Sequence, residues 1–325
     1  MTSLRAEVVE LQEWNKIVNS LDELEYNINI FHKISCLYPT SSNRDKFKAI
    51  IIYDKSKPVI GLPVLIQKKY KILSIATSYV RFIPFLGLFK DNSITIKKYF
   101  DSVKIMEYEL SKIAHIYRIV NSPLIADIRP FSWRGWHTHV LYTYVLNVNN
   151  FDFDQLPKKM RWLIRKGLKH ISDIKEVYYI DNNIIREFSN LVTNTLSKKS
   201  VNISYNLIVR HIICFMKSNI GIIYVEQDDA HIRAGELFVV DPQRQIAYRI
   251  FAASSEYSKR AGIAAALLYE SLIQLKNRGI EKVYLLGANI LDIAQFIEKY
   301  SNYIEPYYLL TKGKGILNYM IRLKY

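Results

Sequence analysis

Apolar positions along the chain follow two spacings, and the switches between them predict its elements. In "EWNKIVNSLDEL", Trp14, Ile17, Val18 and Leu21 fall three or four apart, which predicts an amphipathic helix. "FKAIIIYD" and "PVIGLPVLIQ" are β-rich runs joined by the polar "KSK", which predicts a hairpin. "YKILSIAT" adds a strand and "IKKYFDSVKIMEYELSKIAHIY" a long helix. "FIPFLGLF" is apolar but carries Pro84 and Gly87, so it reads either as a strand or as a loop over a cleft. "SPLIADIRP" and "VLYTYVLNV" read as strands around the loop "FSWRGWHT".

The second half follows a similar order. "LPKKMRWLIRKGLKHI" is a basic helix with Pro157 suited to its first turn, and "NNIIREFSNLVTNTLSKK" and "SYNLIVRHIICFMKSN" are two more helices. Strands "GIIYVEQ", "IRAGELFVVD" and "QIAYRIFAAS" come next. "SKRAGIAAALL" then opens a helix running to about Lys276, where "NRG" stops it. "EKVYLLGAN" is a buried-type strand, "DIAQFIEKYS" a helix, "EPYYLLTK" a strand and "ILNYMIRLKY" a closing element. The two hairpin patterns echo one another, with Gly61 and Gly235 at comparable places. Two copies of one mixed fold would produce that echo, and so would chance.

Composition narrows the class. A chain of 325 residues that is half hydrophobic and 23% charged folds into a globular core rather than staying disordered. No apolar run reaches the roughly 20 residues that span a bilayer. The nearest is broken by Asp54, Lys55 and Lys57, and the N-terminus lacks the apolar block of a signal peptide. The expectation is a soluble, cytoplasmic protein, with peripheral membrane contact left open. Cys36 and Cys214 sit in apolar surroundings and read as buried free thiols. His137 and His139 have no neighbouring Cys or acid to complete a ligand set, so no metal is expected. The net charge of +15 favours anionic partners: nucleic acid, phosphorylated small molecules or an acidic membrane face.

The stretch Ser258–Leu268 carries the candidate chemistry. A strand, a basic-Gly turn and a helix is an arrangement that holds phosphate, because first-turn amides lack intrahelical partners and the helix dipole is positive there. Lys259 and Arg260 add charge, and Gly262 lets a ligand approach. The same glycine and alanines also suit close packing of the helix.

The run Lys259-Arg260-Ala261-Gly262-Ile263-Ala264 resembles the pyrophosphate loop of the GNAT superfamily, with a basic residue at the first position, then Gly and Ala. "LPKKMRWLIRKGLKHI", "LLYESLIQLKNRGIEKVYLLGAN" and "FIEKYSNYIEPYY" are similar to the Fem aminoacyltransferases and their relatives. The resemblance implies an α/β (α+β) fold of two tandem GNAT-like domains, each a mixed central sheet flanked by helices. Residues 1–150 would form the acceptor side and 151–325 the donor-binding domain, with the acceptor in the groove between them. It implies an N-acyltransferase that moves an acyl group from an acyl thioester, with acyl-CoA as cosubstrate, to an amine by direct attack. One alternative is a Fem-like enzyme whose donor is aminoacyl-tRNA. The other is a non-catalytic GNAT-like module that binds an anionic polymer or membrane face. The implied acceptor is a small-molecule or cell-envelope precursor amine.

For such a reaction Glu236 is the candidate base, Asn289 a hydrogen-bonding group and Tyr303 an acid. Ile297 stands where GNAT enzymes often carry a Tyr, and Tyr300 or Tyr303 would substitute. The amides of Phe251 and Ala252, beside a strand splay, would polarise the carbonyl. Lys259, Arg260, Ala261, Gly262, Ile263 and Ala264 would hold the cofactor, and Arg161, Arg165 and Arg134 the acceptor's or donor's anionic group.

Overall fold

A hairpin pairs two apolar runs across a short turn and so buries one face early, and each half of this chain is built around one. The computed structural model describes residues 3–22, 25–33, 46–69, 72–78, 80, 83–171, 173–199, 201, 203–228 and 231–324. Cys36 lies outside the described residues.

The first elements are β1 (Leu4–Val9), α1 (Leu11–Ser20), α2 (Ile30–Lys33), β2 (Lys46–Asp54), β3 (Lys57–Lys69), β4 (Leu73–Thr77) and β5 (Phe89–Lys90). They are followed by α3 (Ile96–Ile113), β6 (Ile116–Val120), α4 (Arg129–Ser132) and β7 (His137–Asn147). Next come α5 (Lys158–Leu168), β8 (Lys175–Val177), α6 (Asn182–Ser197), α7 (Tyr205–Lys217), β9 (Gly221–Gln227), β10 (Ile232–Asp241) and β11 (Ile246–Ser254). The last are α8 (Glu256–Ala261), α9 (Ile263–Asn277), β12 (Lys282–Tyr284), α10 (Leu291–Ile297), β13 (Ile304–Gly313) and α11 (Ile316–Lys324). They fall into two compact units: unit 1 is Met1–Leu141 with Pro306–Tyr325, and unit 2 is Tyr142–Glu305.

In unit 1 the strand order is β1-β2-β3-β4-β6-β13. All pairs are antiparallel except β4 with β6, which run parallel with α3 between them in sequence. α3 starts where Thr95 accepts a hydrogen bond from the Lys98 amide, and it buries Tyr99, Val103, Met106 and Leu110 against the sheet. The stretch 121–128 forms no strand. Pro123 and Pro130 remove ladder donors, and Asp127 turns back to the Arg129 amide at 3.1 Å, opening α4 instead. Of "FIPFLGLF", residues 84–88 are irregular, with Phe85 at φ +64°, and Phe89 starts β5. Gly87 packs so close to Asn121 that a Cβ there would meet its Oδ1 at 2.3 Å.

In unit 2 the order is β7-β12-β11-β10-β9-β8. β11 and β12 are the parallel pair, with α8 and α9 between them in sequence. Side chains alternate across a strand, so Phe238 and Ala247 face the core that α5 and α9 complete with Met160, Ile164 and Leu268. Gly235 points the other way, leaving room for the Phe188 ring of α6. Cys214 of α7 is buried and disulfide-bonded, so the expectation of a free thiol does not hold there.

Candidate active site

The site is built on the face of β10 and β11 turned toward α9. Glu236 lies opposite Ala252 in the ladder. A register shift between Leu237 and Phe238 brings Arg249 opposite Phe238, on the same face. Arg249 Nη2 donates to Glu236 Oε1 at 2.5 Å, and both side chains are buried, at 7% and 3% exposure. Among the described residues, Glu236 Oε2 and Arg249 Nε have no partner. Burial pushes the Glu236 carboxyl above the usual carboxylate range, and Arg249 opposes that rise. A buried pair with one acceptor and one donor left over is costly unless something completes it.

Beside this pair the sheet opens. β11 and β12 pair only from Ile246–Tyr248 to Lys282–Tyr284. β11 continues to Ser254, whereas Leu285 donates to the Tyr144 carbonyl at 2.9 Å and the chain turns away through Leu286 (φ +53°) and Gly287 (φ +72°). A cavity of about 330 Å³ lies there. Glu236, Arg249 and Ala252 line it from the sheet, Lys259 and Ala264 from α8 and α9. Lys199, after α6, and Asp292 and Phe296 of α10 complete its wall. Burial pushes the Lys199 pKa down, with Lys259 and Arg249 adding to the effect and Asp292 opposing it.

The expected phosphate turn takes another form. Residues Glu256–Ala261 are helical, and the Ser255 hydroxyl caps them by accepting from the Ser258 amide at 3.1 Å. Lys259 N–H donates to Ser255 O and Gly262 N–H to Lys259 O. Gly262 is left-handed at φ +85°, which lets α8 and α9 join end to end. It packs on α5: a Cβ there would meet Leu163 O at 2.3 Å, and one on Gly167 would meet Gly262 O at 2.2 Å. Helix packing therefore occupies the glycine. No side chain caps α9, and its first turn includes Ala264 on the cavity wall.

The other predicted residues separate. Arg260 is exposed, with its carbonyl accepting from Lys166 Nζ at 2.9 Å, while Ala261 and Ile263 are core. Phe251 lies opposite Leu237, on the face away from the Glu236–Arg249 pair. Asn289 clamps Tyr142, accepting from its amide at 3.0 Å and donating to its carbonyl at 2.9 Å. Tyr303 is 59% exposed and does not line the cavity. Tyr300 is buried and donates to Ala265 O at 2.7 Å in the first turn of α9, beside the fully buried Ile297. Arg161 is tied to Asp154 O at 3.0 Å, and Arg165 lies over the Phe153 ring at 5.1 Å. Arg134 is in unit 1, bonded to Glu107 at 2.8 Å. Sequence reasoning missed Arg249, Lys199 and Asp292. Only Arg249 carried a signal, a charge in the middle of the apolar strand "QIAYRIFAAS".

No model of a known protein family matches the sequence, and no curated protein matches it. Solved structures do. FemX aligns at 10% identity with a TM-score of 0.61, covering 94% of this chain and 96% of that one. The C-terminal domain of a lysylphosphatidylglycerol synthetase from Agrobacterium fabrum aligns at 12% identity and TM-score 0.58, covering 96% and 94%. A tandem GNAT protein from the clavulanic acid biosynthesis pathway aligns at 9% identity and TM-score 0.54, covering 96% and 99%. The chain has the GNAT/Fem-like fold, with mixed sheets flanked by helices. Among the described residues, no helix is long and apolar enough to cross a membrane.

Proposed function

We propose that the chain is an acyltransferase that moves an acyl group from an acyl thioester of the acyl-CoA type to an amine, with the donor held in unit 2. The parting of β11 from β12 beside a 330 Å³ cavity carries this reading, because it gives an extended acyl chain a route past the sheet to a largely apolar chamber that holds the Glu236–Arg249 pair. The uncapped first turn of α9 and Lys259 supply positive potential for the donor's anionic part. The acceptor amine attacks the carbonyl directly, its proton passes to a cavity base, and the thiolate leaves. Glu236 and Lys199 line the cavity, and burial pushes the Glu236 carboxyl up and the Lys199 ammonium down, the directions in which acid–base groups are tuned. Calorimetry with coenzyme A and acetyl-CoA tests the reading: binding weakened at least about tenfold by Ala264→Trp is expected, since the new ring fills the chamber. Absence of binding at millimolar ligand removes the thioester donor.

A second reading, transfer of an aminoacyl group from tRNA, is favoured by the unfilled pair in the cavity. Glu236 Oε2 can accept from an ammonium and Arg249 Nε can donate to a carbonyl, the two groups an aminoacyl ester offers. The helical form of residues 256–261 also leaves fewer free amides for a pyrophosphate than the thioester reading expects. Filter binding of charged against uncharged tRNA distinguishes the two. A preference for the charged form, abolished by Glu236→Gln, selects the second.

A further inference from the structure

α11 has an apolar side that nothing described in unit 1 covers. The helix docks through its other side, where Asn318 accepts from the Gly313 amide at 3.2 Å and Ile321 lies against Gly313. Ile316, Tyr319 and Met320, spaced to share one side, are 76%, 61% and 58% exposed. Asn318 also donates to Gly135 O at 3.4 Å, which sets the helix beside the turn bearing Trp133. Trp133 is 72% exposed and its ring lies 4.9 Å from that of Phe100 on α3. One turn along α3, Lys104 and Tyr108 face an open groove with Arg134.

The charge around these side chains is mainly basic, with Asp101 on α3 the acid between Lys97 and Lys104. Among the described residues Lys97, Lys104 and Lys314 have no acid partner. Glu107 is already held by Arg134, Trp136 and Lys312. The stretch 311–324 contains Lys312, Lys314, Arg322 and Lys324 and no acid. A helix with exposed Ile, Met and Tyr, basic residues and no acids has the composition of one that lies flat in a lipid headgroup layer, and exposed Trp favours the same depth. Ile316 and Met320 add nothing to a surface that reads phosphates and stacks bases, so the pattern favours lipid over nucleic acid.

We propose that this face of unit 1 seats the protein on an anionic bilayer, with α11 parallel to the membrane plane and Trp133 at headgroup depth. The proposal is independent of the acyl-transfer reading. Its test is sedimentation of the full chain with vesicles of phosphatidylcholine alone and of phosphatidylcholine mixed with phosphatidylglycerol. Pelleting with the mixed vesicles only is expected, and Tyr319→Asp with Met320→Asp reduces the partition coefficient about tenfold or more. Both positions are exposed, so an unchanged thermal melt shows that the variant folds. Trp133→Phe removes the blue shift of tryptophan emission on vesicle addition. No pelleting of the unaltered chain, or equal pelleting of the double variant, overturns the proposal. Displacement from vesicles by a single-stranded oligonucleotide that binds through Tyr319 assigns the face to nucleic acid. A dimer in solution that the double variant dissociates assigns it to a second copy; either result also overturns the proposal.

Discussion

In unit 1, β4 and β6 run parallel with α3 between them in sequence; in unit 2, β11 and β12 do the same with α9 between them. The hairpins ahead of these junctions correspond as well. Gly61 of β3 leaves room for the Phe89 ring, and Gly235 of β10 for Phe188. The junctions themselves differ. In unit 1, Ser78 continues the ladder past Thr77: its amide donates to Arg118 O and its hydroxyl accepts from the Val120 amide, both at 2.9 Å. The helix that follows is capped by Thr95. In unit 2 the strands separate after Tyr248 and Tyr284, α9 has no side-chain cap, and the cavity is lined by the part of β11 beyond that point together with α9 and α10. One plan thus gives a closed junction and an open one. A hydroxyl at the right place is enough to fill the first, while a ligand site needs hydrogen-bonding groups left over.

Four experiments sharpen that contrast. The largest effect is expected from Arg249→Met, which strands Glu236 in the interior and should cost about 3–5 kcal/mol in urea unfolding. Adding Glu236→Gln should recover most of the loss; equal instability of the double variant would show that packing, not charge, holds the pair.

The second concerns acid. His211 of unit 2 is buried with neither ring nitrogen partnered among the described residues, and burial, aided by Arg210, depresses its pKa to about 4. In unit 1, buried His32 accepts from the Asn29 amide and bonds the Gly87 carbonyl at 2.9 Å. Because the unfolded chain binds a proton at His211 near pH 6.5, the neutral folded ring contributes stability above that pH. This contribution is lost as pH falls toward 4. The expected loss is about 3 kcal/mol, and His211→Leu should flatten that part of the stability profile.

Third, Gly262→Ala places a methyl against Leu163 O at a left-handed residue and should cost about 2 kcal/mol. Gly279→Ala, with φ +80° but open space, should cost about half as much. The smallest effect is on the closed junction: Ser78→Ala and Thr95→Ala should each cost about 1 kcal/mol and leave ligand binding in unit 2 unchanged.

Much of this fold is legible in the sequence because its signals are local. Near-continuous runs of β-branched and aromatic residues mark β2, β3, β9, β10 and β11, and "NRG" marks the end of α9, where Gly279 is left-handed. "KRAGIA" shows why a motif can mislead. Its glycine is required, but by the backbone of α5, about a hundred residues earlier in the chain, which no local window reveals. Asn289 sits in a run that resembles a functional one, yet both ends of its amide are held by the Tyr142 backbone. The three site residues that were missed come from three separated segments: β11, the stretch just after α6, and α10. Lys199 and Asp292 look like solvated helix-end charges until the fold brings them to one cavity with Glu236.

Most of β13, from Pro306 on, follows all of unit 2 in the chain, yet its residues Leu309–Gly313 pair with Val120–Ile116 in unit 1. Synthesis therefore delivers the strand that finishes the first-made unit last. Until it arrives, β6 offers a bare row of backbone donors and acceptors, the kind of edge to which stray chains add. Truncation after Glu305 would freeze the protein at that stage, so aggregation during expression, rather than a smaller folded product, is its expected fate.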